Sequence, residues 1–451
     1  MLITAPHTKP GPPPHLASVA GLLEGWLPEQ RWFAGKGLPL TDLSVVSLTE
    51  LYPGCLHLLV RATHAGDHSG CYQILLGVSE GLPGRLRHAV IGRPAVGPLR
   101  GLTVYDALHD PRATGTLLER LRVPGAAGPL RFERDGRTEV PAGLRPRLLD
   151  GEQSNTSLVY GDAFILKLFR RVQYGVHPDL EVPSALSRDG CARVPAPVAW
   201  FWTTEPRRAT LGVLQPFLRG ATDGWSLALD SPTGEDLAET AYELGRATAE
   251  VHLALARAFP ADEPGRDHDR DRDGADGLAA AMSARLDATA RQVPELARHV
   301  PRLRAVYQAA AGHHSHPADQ RIHGDLHLGQ VLLDGRRWRV IDFEGEPSRP
   351  LAERRRVQSP ARDVAGMLRS FDYAAHARGP GHTEWARRCR DAYLAGYARE
   401  APWDPREHTA LVRAHETDRA VYEVLYEARH RPDWLPVPMA AIARLAEESR
   451  S

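Results

Sequence analysis

The sequence carries no surplus of charge of either sign: 56 Lys and Arg stand against 56 Asp and Glu. A general nucleic-acid or membrane-surface binder shows a basic excess, so the balance argues against those partners, while a local basic cleft stays compatible with it. Cysteine is scarce. Cys55, Cys71, Cys191 and Cys389 form no CxxC pair and show no metal-ligand spacing, which predicts reduced, buried thiols in a cytoplasmic protein. Long apolar runs are missing too, so no segment is expected to span a bilayer. The opening "MLITAPHTKPGPPPHL" lacks the apolar core of a signal peptide, and its prolines predict a flexible leader over 1–16. What is present, 42% hydrophobic and 25% charged residues over 451 positions, is ordinary for a globular chain of two or three domains.

The first half reads as β-rich. "LHLLVRATHAG" and "CYQILLGV" are predicted neighbouring strands, and "LEGWLPEQRWFAGKG" begins as a short helix and ends in a glycine-bearing turn. "GPLRFERDGRTEVPAG" reads as a polar hairpin. "SLVY" and "AFILKLF" are strands joined at Gly161-Asp162, and "HPDLEVPSALSRDG" is a helix with Pro178 in its first turn. "GVLQPFLRGATDGW" is a strand that breaks at Pro216. From about 234 onward, helical spacing dominates. The charged stretch 262–277 is expected to be a solvated loop. The boundaries that follow are a cap subdomain over 17–105, an N-lobe over 106–217 and a helical C-lobe over 218–451. Two unlike lobes make a cleft the expected place for a ligand.

The chemistry concentrates in "RIHGDLHLGQVLLDGRRWRVIDFEGEP", 321–347. Two apolar strands around Asp334-Gly335 fold back as a hairpin. Gln330 precedes the first strand and Asp342 ends the second, so both side chains come to one end. An amide oxygen and a carboxylate are hard ligands suited to Mg²⁺. Asp325 lies five residues before Gln330. A base Asp, an amide five residues later and a metal-binding Asp after a short hairpin is the order found in kinase catalytic loops, with Gln here in place of Asn. Each residue alone could be a surface or capping group. The joint pattern His323-Gly324-Asp325, His327, Gln330 and Asp342-Phe343 points to phosphoryl transfer.

Such a site needs a cation on the nucleotide phosphates. Lys167 sits inside the apolar strand "AFILKLF", where burial is costly unless an anion meets it. Glu181 in the next helix is the expected carboxylate partner. The other reading of Lys167 is an edge-strand lysine whose head reaches water. A glycine-rich loop is absent. "GEQSNTS" stands in its place, so Ser154, Asn155 and Thr156 are candidates to cover phosphate oxygens, with an ordinary polar turn as the alternative. "LQPF" is the expected hinge, with Gln215 and Phe217 beside adenine.

The strings "LPEQRWFAGKG", "GEQSNTSLVYGDAFILKLFRR", "HGDLHLGQVLL", "IDFEGEP", "RDVAGMLRSFDYAA" and "VYEVLYEARHRPDWLPVP" closely resemble actinobacterial maltokinases over nearly the whole chain. "HGDLH" and "DFE" alone are shared with aminoglycoside phosphotransferases, and glucosamine kinases carry similar signatures. The resemblance implies an α+β, bilobal, protein-kinase-like fold with a β-rich N-lobe, preceded by an N-terminal cap subdomain, and a mainly helical C-lobe. It also implies transfer of phosphate from ATP, with Mg²⁺, to maltose, giving maltose 1-phosphate for α-glucan synthesis from trehalose, with trehalose synthase as a partner enzyme. The Gln at 330 and the missing glycine-rich loop belong to that family's pattern.

On this reading Asp325 orients the anomeric hydroxyl and accepts its proton. Gln330 and Asp342 hold Mg²⁺, Glu344 meets a second metal, a water or a structural hydrogen bond, and Lys167 fixed by Glu181 neutralises phosphate. Sugar contacts are expected from His327, Arg362, Asp363, Tyr422, Glu423, Tyr426 and Trp434. Tyr422 and Tyr426 share a helix face, as do Glu423 and Glu427, and that face either lines a sugar pocket or packs in the core. Asp363 either binds sugar or only stabilises its helix N-terminus. Two alternatives stand beside maltose phosphorylation: a glucosamine or aminoglycoside kinase, and an inactive kinase-like binding module.

Overall fold

The computed structural model describes residues 17–66, 69–149, 155–230, 234–260, 274–312, 316–346, 349–379 and 381–447. The leader 1–16, most of the charged stretch 262–277 and Ser154 therefore lie outside the described residues. The chain divides into two compact units. One comprises 1–181 and 196–219, the other 182–195 and 220–451.

The first unit opens with helix α1 (Ala17–Trp26) and a long antiparallel meander: β1 (Leu40–Tyr52), β2 (Cys55–His64) and β3 (Ser69–Ser79). β4 (Val90–Gly92) and β5 (Thr103–Asp106) complete the path β1-β2-β3-β5-β4. Helix α2 (Pro111–Arg122) starts with Asp110 as its cap, which accepts from the Arg112 amide, and with proline in its first turn. A second sheet gathers β6 (Gly125–Ala127), β7 (Leu130–Arg134), β8 (Pro146–Leu148), β9 (Thr156–Tyr160) and β10 (Phe164–Leu168). After β11 (Arg171–Val172), which pairs with β3, helix α3 (Pro178–Arg188) begins in this unit; β12 (Ala199–Thr203) and β13 (Ala209–Pro216) return to the second sheet. Its order is β6-β7-β12-β13-β10-β9-β8. Phe132, Leu158, Phe164, Leu166, Phe201 and Leu214 build the core there.

One hairpin expectation needs correction. β7 pairs with β6 on one side and β12 on the other, and the residues after its Asp-Gly turn form no strand. The apolar "LRF" side chains are drawn between two sheet neighbours, while "TEVPAG" carries a proline that cannot donate to a ladder.

The second unit is helical around one small sheet. β14 (Thr222–Asp223) leads into α4 (Gly224–Asp230), then α5 (Gly234–Ala258), α6 (Gly274–Ala290) and α7 (Val300–Ala311). β15 (Val331–Asp334) and β16 (Arg337–Val340) form the expected hairpin, with Asp334 facing Arg337 so that Gly335 and Arg336 turn the chain. A short turn α8 (Leu351–Arg354) precedes α9 (Ala361–Arg378), α10 (Thr383–Glu400), α11 (Thr409–His430) and α12 (Pro436–Glu447). α5 and α10 cross at glycines. A Cβ on Gly396 would lie 1.9 Å from the Tyr242 carbonyl oxygen, and one on Gly245 2.0 Å from that of Tyr393. Only residues without a Cβ permit that backbone approach. Among the described residues no helix is long and apolar enough to cross a membrane.

Candidate active site

In the first unit the alternation of β10 buries Phe164, Leu166 and Leu168 on one face and places Ile165 and Lys167 on the other. The strand is central, with Lys167 facing Ser157 on β9 and Val213 on β13. Its amine is therefore not an edge lysine, and it meets a buried carboxylate: Lys167 Nζ lies 3.1 Å from Asp179 Oδ2. Asp179 sits in the first turn of α3, where partial positive charge favours a carboxylate. The His177 ring, which stacks on Phe169 at 3.6 Å, accepts from the Asp179 amide through Nδ1. Sequence reasoning named Glu181, half-buried two residues further on, and passed over Asp179, which follows Pro178 in the same turn.

Of the other nucleotide candidates, Asn155 is buried before β9. The Thr156 hydroxyl accepts from Arg170 Nε at 2.8 Å, because the buried Arg170 guanidinium between Asp106 and the Gln73 carbonyl claims it. Gln215 faces Ile165, and the Phe217 amide donates to the Ala163 carbonyl at 2.9 Å, closing the end of β13.

In the second unit the segment before the hairpin is held by Asp363. This carboxylate is 1% exposed in the first turn of α9. Its Oδ2 accepts from the His323 amide at 2.7 Å and its Oδ1 from the Gly324 amide at 2.9 Å, while His252 Nε2 lies 3.1 Å from Oδ2. The other ring nitrogen of His252 meets Tyr397 on α10 at 2.8 Å. Burial pushes Asp363 upward, but the His252 hydrogen bond, the nearby histidines and the Gly324 amide outweigh it and hold the carboxyl below its usual range. Asp363 is thus the anchor of the loop, and both oxygens expected to bind sugar are already engaged. Gly366, one turn on, lets α9 press against the loop: a Cβ there would lie 2.6 Å from the Leu326 carbonyl oxygen.

The anchored loop presents Asp325. Its Oδ1 lies 3.0 Å from Arg419 Nη1 on α11. Burial raises the Asp325 carboxyl, but Arg419, His327 and His323 overcome that and keep it below the ordinary carboxylate value. His323 Nε2 sits 2.9 Å from the Ile341 carbonyl, tying the loop to the hairpin's end. His327 caps the short turn at Leu328–Gln330, its Nδ1 accepting from the Gly329 amide at 3.1 Å, which gives it a role in shaping the loop. The Ile341 amide donates to the Gln330 carbonyl at 3.0 Å, which places Gln330 and Asp342 at one end of the hairpin as expected. Asp342 itself adopts φ 65°, a left-handed backbone uncommon for a non-glycine residue. The carboxylates of Asp342 and Glu344 with the Gln330 amide are a hard-oxygen donor set of the kind Mg²⁺ takes, and these residues would hold it. Glu344 is 9% exposed, and its carbonyl accepts from Arg354 Nη1 at 2.7 Å.

A cavity of about 380 Å³ opens over Asp325, with Glu346, Arg362, Asp363, Arg419 and Tyr422 in its wall. Glu346 Oε2 is bridged by Arg349 Nε and Arg362 Nη2, both at 2.9 Å. Arg419 continues to Glu423 Oε1 at 3.5 Å, and the Glu423 Oε2 receives the buried Arg369 at 2.8 Å. Glu423 thereby braces two arginines and lies outside the wall of the Asp325 cavity. Tyr426 stacks against Tyr422 and His430 on the outer side of α11, and Trp434 stacks on Tyr373 beneath Arg431. Neither lines the Asp325 cavity, because their positions on α11 and beyond turn them past it. Of the tail residues named from sequence, Tyr422 does. Arg419, His252 and Glu346 were missed; the only sequence signal for Arg419 was its place four residues before Glu423 on a helix with glutamates at that spacing.

Comparison with known proteins accords with this geometry. Residues 26–110 match the maltokinase N-terminal cap domain, and residues 146–404 match the phosphotransferase enzyme family. A glucosamine kinase of Mycolicibacterium smegmatis is 30% identical over 346 residues, covering 70% of this chain and 82% of that protein. A glucosamine kinase of Streptacidiphilus jiangxiensis is 30% identical over 329 residues, covering 66% and 72%. Among solved structures, a glucosamine kinase in complex with glucosamine, ADP and inorganic phosphate shares the fold with a TM-score of 0.63 at 23% identity, over 94% of this chain and 98% of that one.

Proposed function

We propose an acceptor for a chain that belongs to the phosphotransferase enzyme family and carries a maltokinase N-terminal cap: it phosphorylates maltose on the anomeric hydroxyl, with ATP as donor. The observation that carries the choice of a neutral sugar lies on α11. All four of its acidic side chains are paired with arginine: Glu416 with Arg390 and Arg444, Asp418 with Arg285, Glu423 with Arg369 and Arg419, Glu427 with Arg431. An ammonium group wants an unpaired carboxylate, whereas sugar hydroxyls are served by fixed guanidinium–carboxylate pairs, which offer donors and acceptors without net charge.

In the reaction, the anomeric oxygen forms a bond to the γ-phosphorus as the bond to the β-phosphate oxygen breaks. ADP leaves, and the hydroxyl proton passes to Asp325. Arg419 keeps that carboxylate ionised and aimed. Lys167, oriented by Asp179, takes the negative charge of the nucleotide phosphates. Mg²⁺ held by Gln330, Asp342 and Glu344 would neutralise β- and γ-phosphate charge. Alignment and charge stabilisation supply the rate, and no covalent enzyme intermediate is required. A trehalose synthase that furnishes maltose is the partner that goes with this reading, and a cytoplasmic setting supplies the ATP.

A second reading, glucosamine as acceptor, is favoured by the 30% identity to two glucosamine kinases. A panel of maltose, glucosamine, glucose and kanamycin with Mg·ATP separates them by ADP release. Phosphorus NMR then identifies the hydroxyl that gains phosphate. Maltose should give the highest kcat/KM with an anomeric phosphate, and a preference for glucosamine would overturn the proposal. ADP release with none of them would favour an inactive module.

A further inference from the structure

The cavity over Asp325 adjoins a second chamber of about 630 Å³, and the two share Arg285, Arg349, Arg362, His415 and Asp418 in their walls. Both volumes fall in the range of small-ligand sites, roughly 300–1,000 Å³. The outer chamber is completed by His316, Asp319, Gln358 and Ser359. His415 sits on the shared wall, one helical turn before Arg419 on α11, and is 7% exposed. Its Nε2 is buried without a hydrogen-bond partner. Buried polar nitrogens are nearly always satisfied, so an unpartnered one on a side chain that lines both chambers is a candidate for a bond completed by a ligand. Burial first, with Arg362 and Arg285 against Asp418, holds the imidazole near a pKa of about 4, so it is neutral and carries one donor and one acceptor nitrogen. The guanidinium groups of the shared wall are already matched, Arg285 with Asp418 and both Arg349 and Arg362 with Glu346, while Arg356 lines the outer chamber unpaired among the described residues. The shared wall therefore suits an uncharged, hydroxyl-rich group.

We propose that His415 is a specificity-determining residue for a two-ring acceptor: its Nε2 hydrogen-bonds a hydroxyl of the sugar ring that does not receive phosphate, and that ring occupies the outer chamber. This rests on the maltose reading, in which the reducing ring sits at Asp325. The ring bearing the reacting hydroxyl and the ring read by His415 are then recognised by different turns of one helix.

The test measures KM for maltose, kcat, KM for ATP and the inhibition constant of glucose, which has one ring, in the full chain and in His415→Phe and His415→Gln. His415→Phe should raise KM for maltose by about tenfold, the effect of one lost hydrogen bond from a built site. kcat, KM for ATP and the glucose constant should stay within about twofold. His415→Gln should recover most of the loss by supplying an amide. An unchanged KM for maltose overturns the proposal, as does a parallel rise in KM and in the glucose constant, which would place His415 with the first ring. A fall in kcat alone, with melting temperature, would make it a packing residue and also overturn it. Should His415→Phe fail to fold, His316→Trp at the exposed rim narrows the outer chamber instead, and the same split is expected; an unaltered maltose KM there is equally fatal. If the wild-type chain phosphorylates glucosamine and not maltose, the function itself fails; if it phosphorylates maltose and the variants behave like wild type, this inference alone fails.

Discussion

Two regions of the second unit converge on Asp325 by different routes. The segment 321–346 positions its residues by short-range geometry: a capped turn, a two-residue hairpin and a left-handed Asp342. Helix α11 reaches the same carboxylate from 94 residues further along the chain, through Arg419. The electrostatic outcomes differ as well. Burial pushes both Asp325 and Glu423 upward, yet Asp325 ends below the ordinary carboxylate value and Glu423 above it. Arg419 touches both. One cation can thus hold the loop carboxylate ionised while a helix-side glutamate keeps the cation in place, and of these two only the loop carboxylate lies at the cavity.

The strongest way to break this comparison is to remove the loop's carboxylate, the proposed base. Asp325→Asn should lower kcat by about 10²–10⁴-fold, the usual contribution of a general base, while ATP binding and melting temperature stay near wild type. Near-normal turnover would remove Asp325 from the chemistry. Asp363→Asn comes next. It weakens the anchor of the His323 and Gly324 amides and should cost about 2–4 kcal/mol in urea unfolding, as expected for disturbing a buried, hydrogen-bonded carboxylate. The sign with pH follows from its depressed folded value: the contribution of Asp363 is complete above the ordinary Asp range and disappears as pH falls through the lower folded value. The variant's stability should therefore approach that of wild type in acid.

Arg419→Gln sharpens the comparison from the helix side. Without its cation the Asp325 value rises, so the acid limb of the pH–rate profile should move to higher pH, with kcat at neutral pH lowered by about tenfold. An acid limb that stays in place would mean that His323 and His327 suffice. The smallest effect separates two stacked tyrosines. Tyr422→Ala should raise KM for the sugar several-fold, whereas Tyr426→Ala, at 37% exposure, should change KM by less than about twofold, as surface substitutions do.

What could be read from the sequence follows the same division. Asp325, Gln330 and Asp342 were legible because a hairpin of two short strands fixes their relation within eighteen residues. Lys167 was legible because a charged residue in an apolar strand demands a partner. Its contact with Asp179 was not: Asp179 and Glu181 lie in one helical turn, and only the packing of α3 shows that Asp179 meets the amine. Asp363 was seen, but its duty was not, since the amides it receives belong to residues about forty positions earlier. The tail residues were the least legible. Helical spacing puts Tyr422 and Tyr426 on one side of α11, yet the wall of the cavity ends between them.

The glycine contact between α5 and α10 has a reach of its own. His252 stands two turns along α5 from Gly245, and Tyr397 is next to Gly396. The backbone crossing therefore acts as a gauge block: it sets the spacing at which a tyrosine, a histidine and an aspartate can relay their grip to the loop. A single added methyl at either glycine would force the two helices apart and loosen the His252 and Tyr397 contacts through which Asp363 holds the His323 and Gly324 amides.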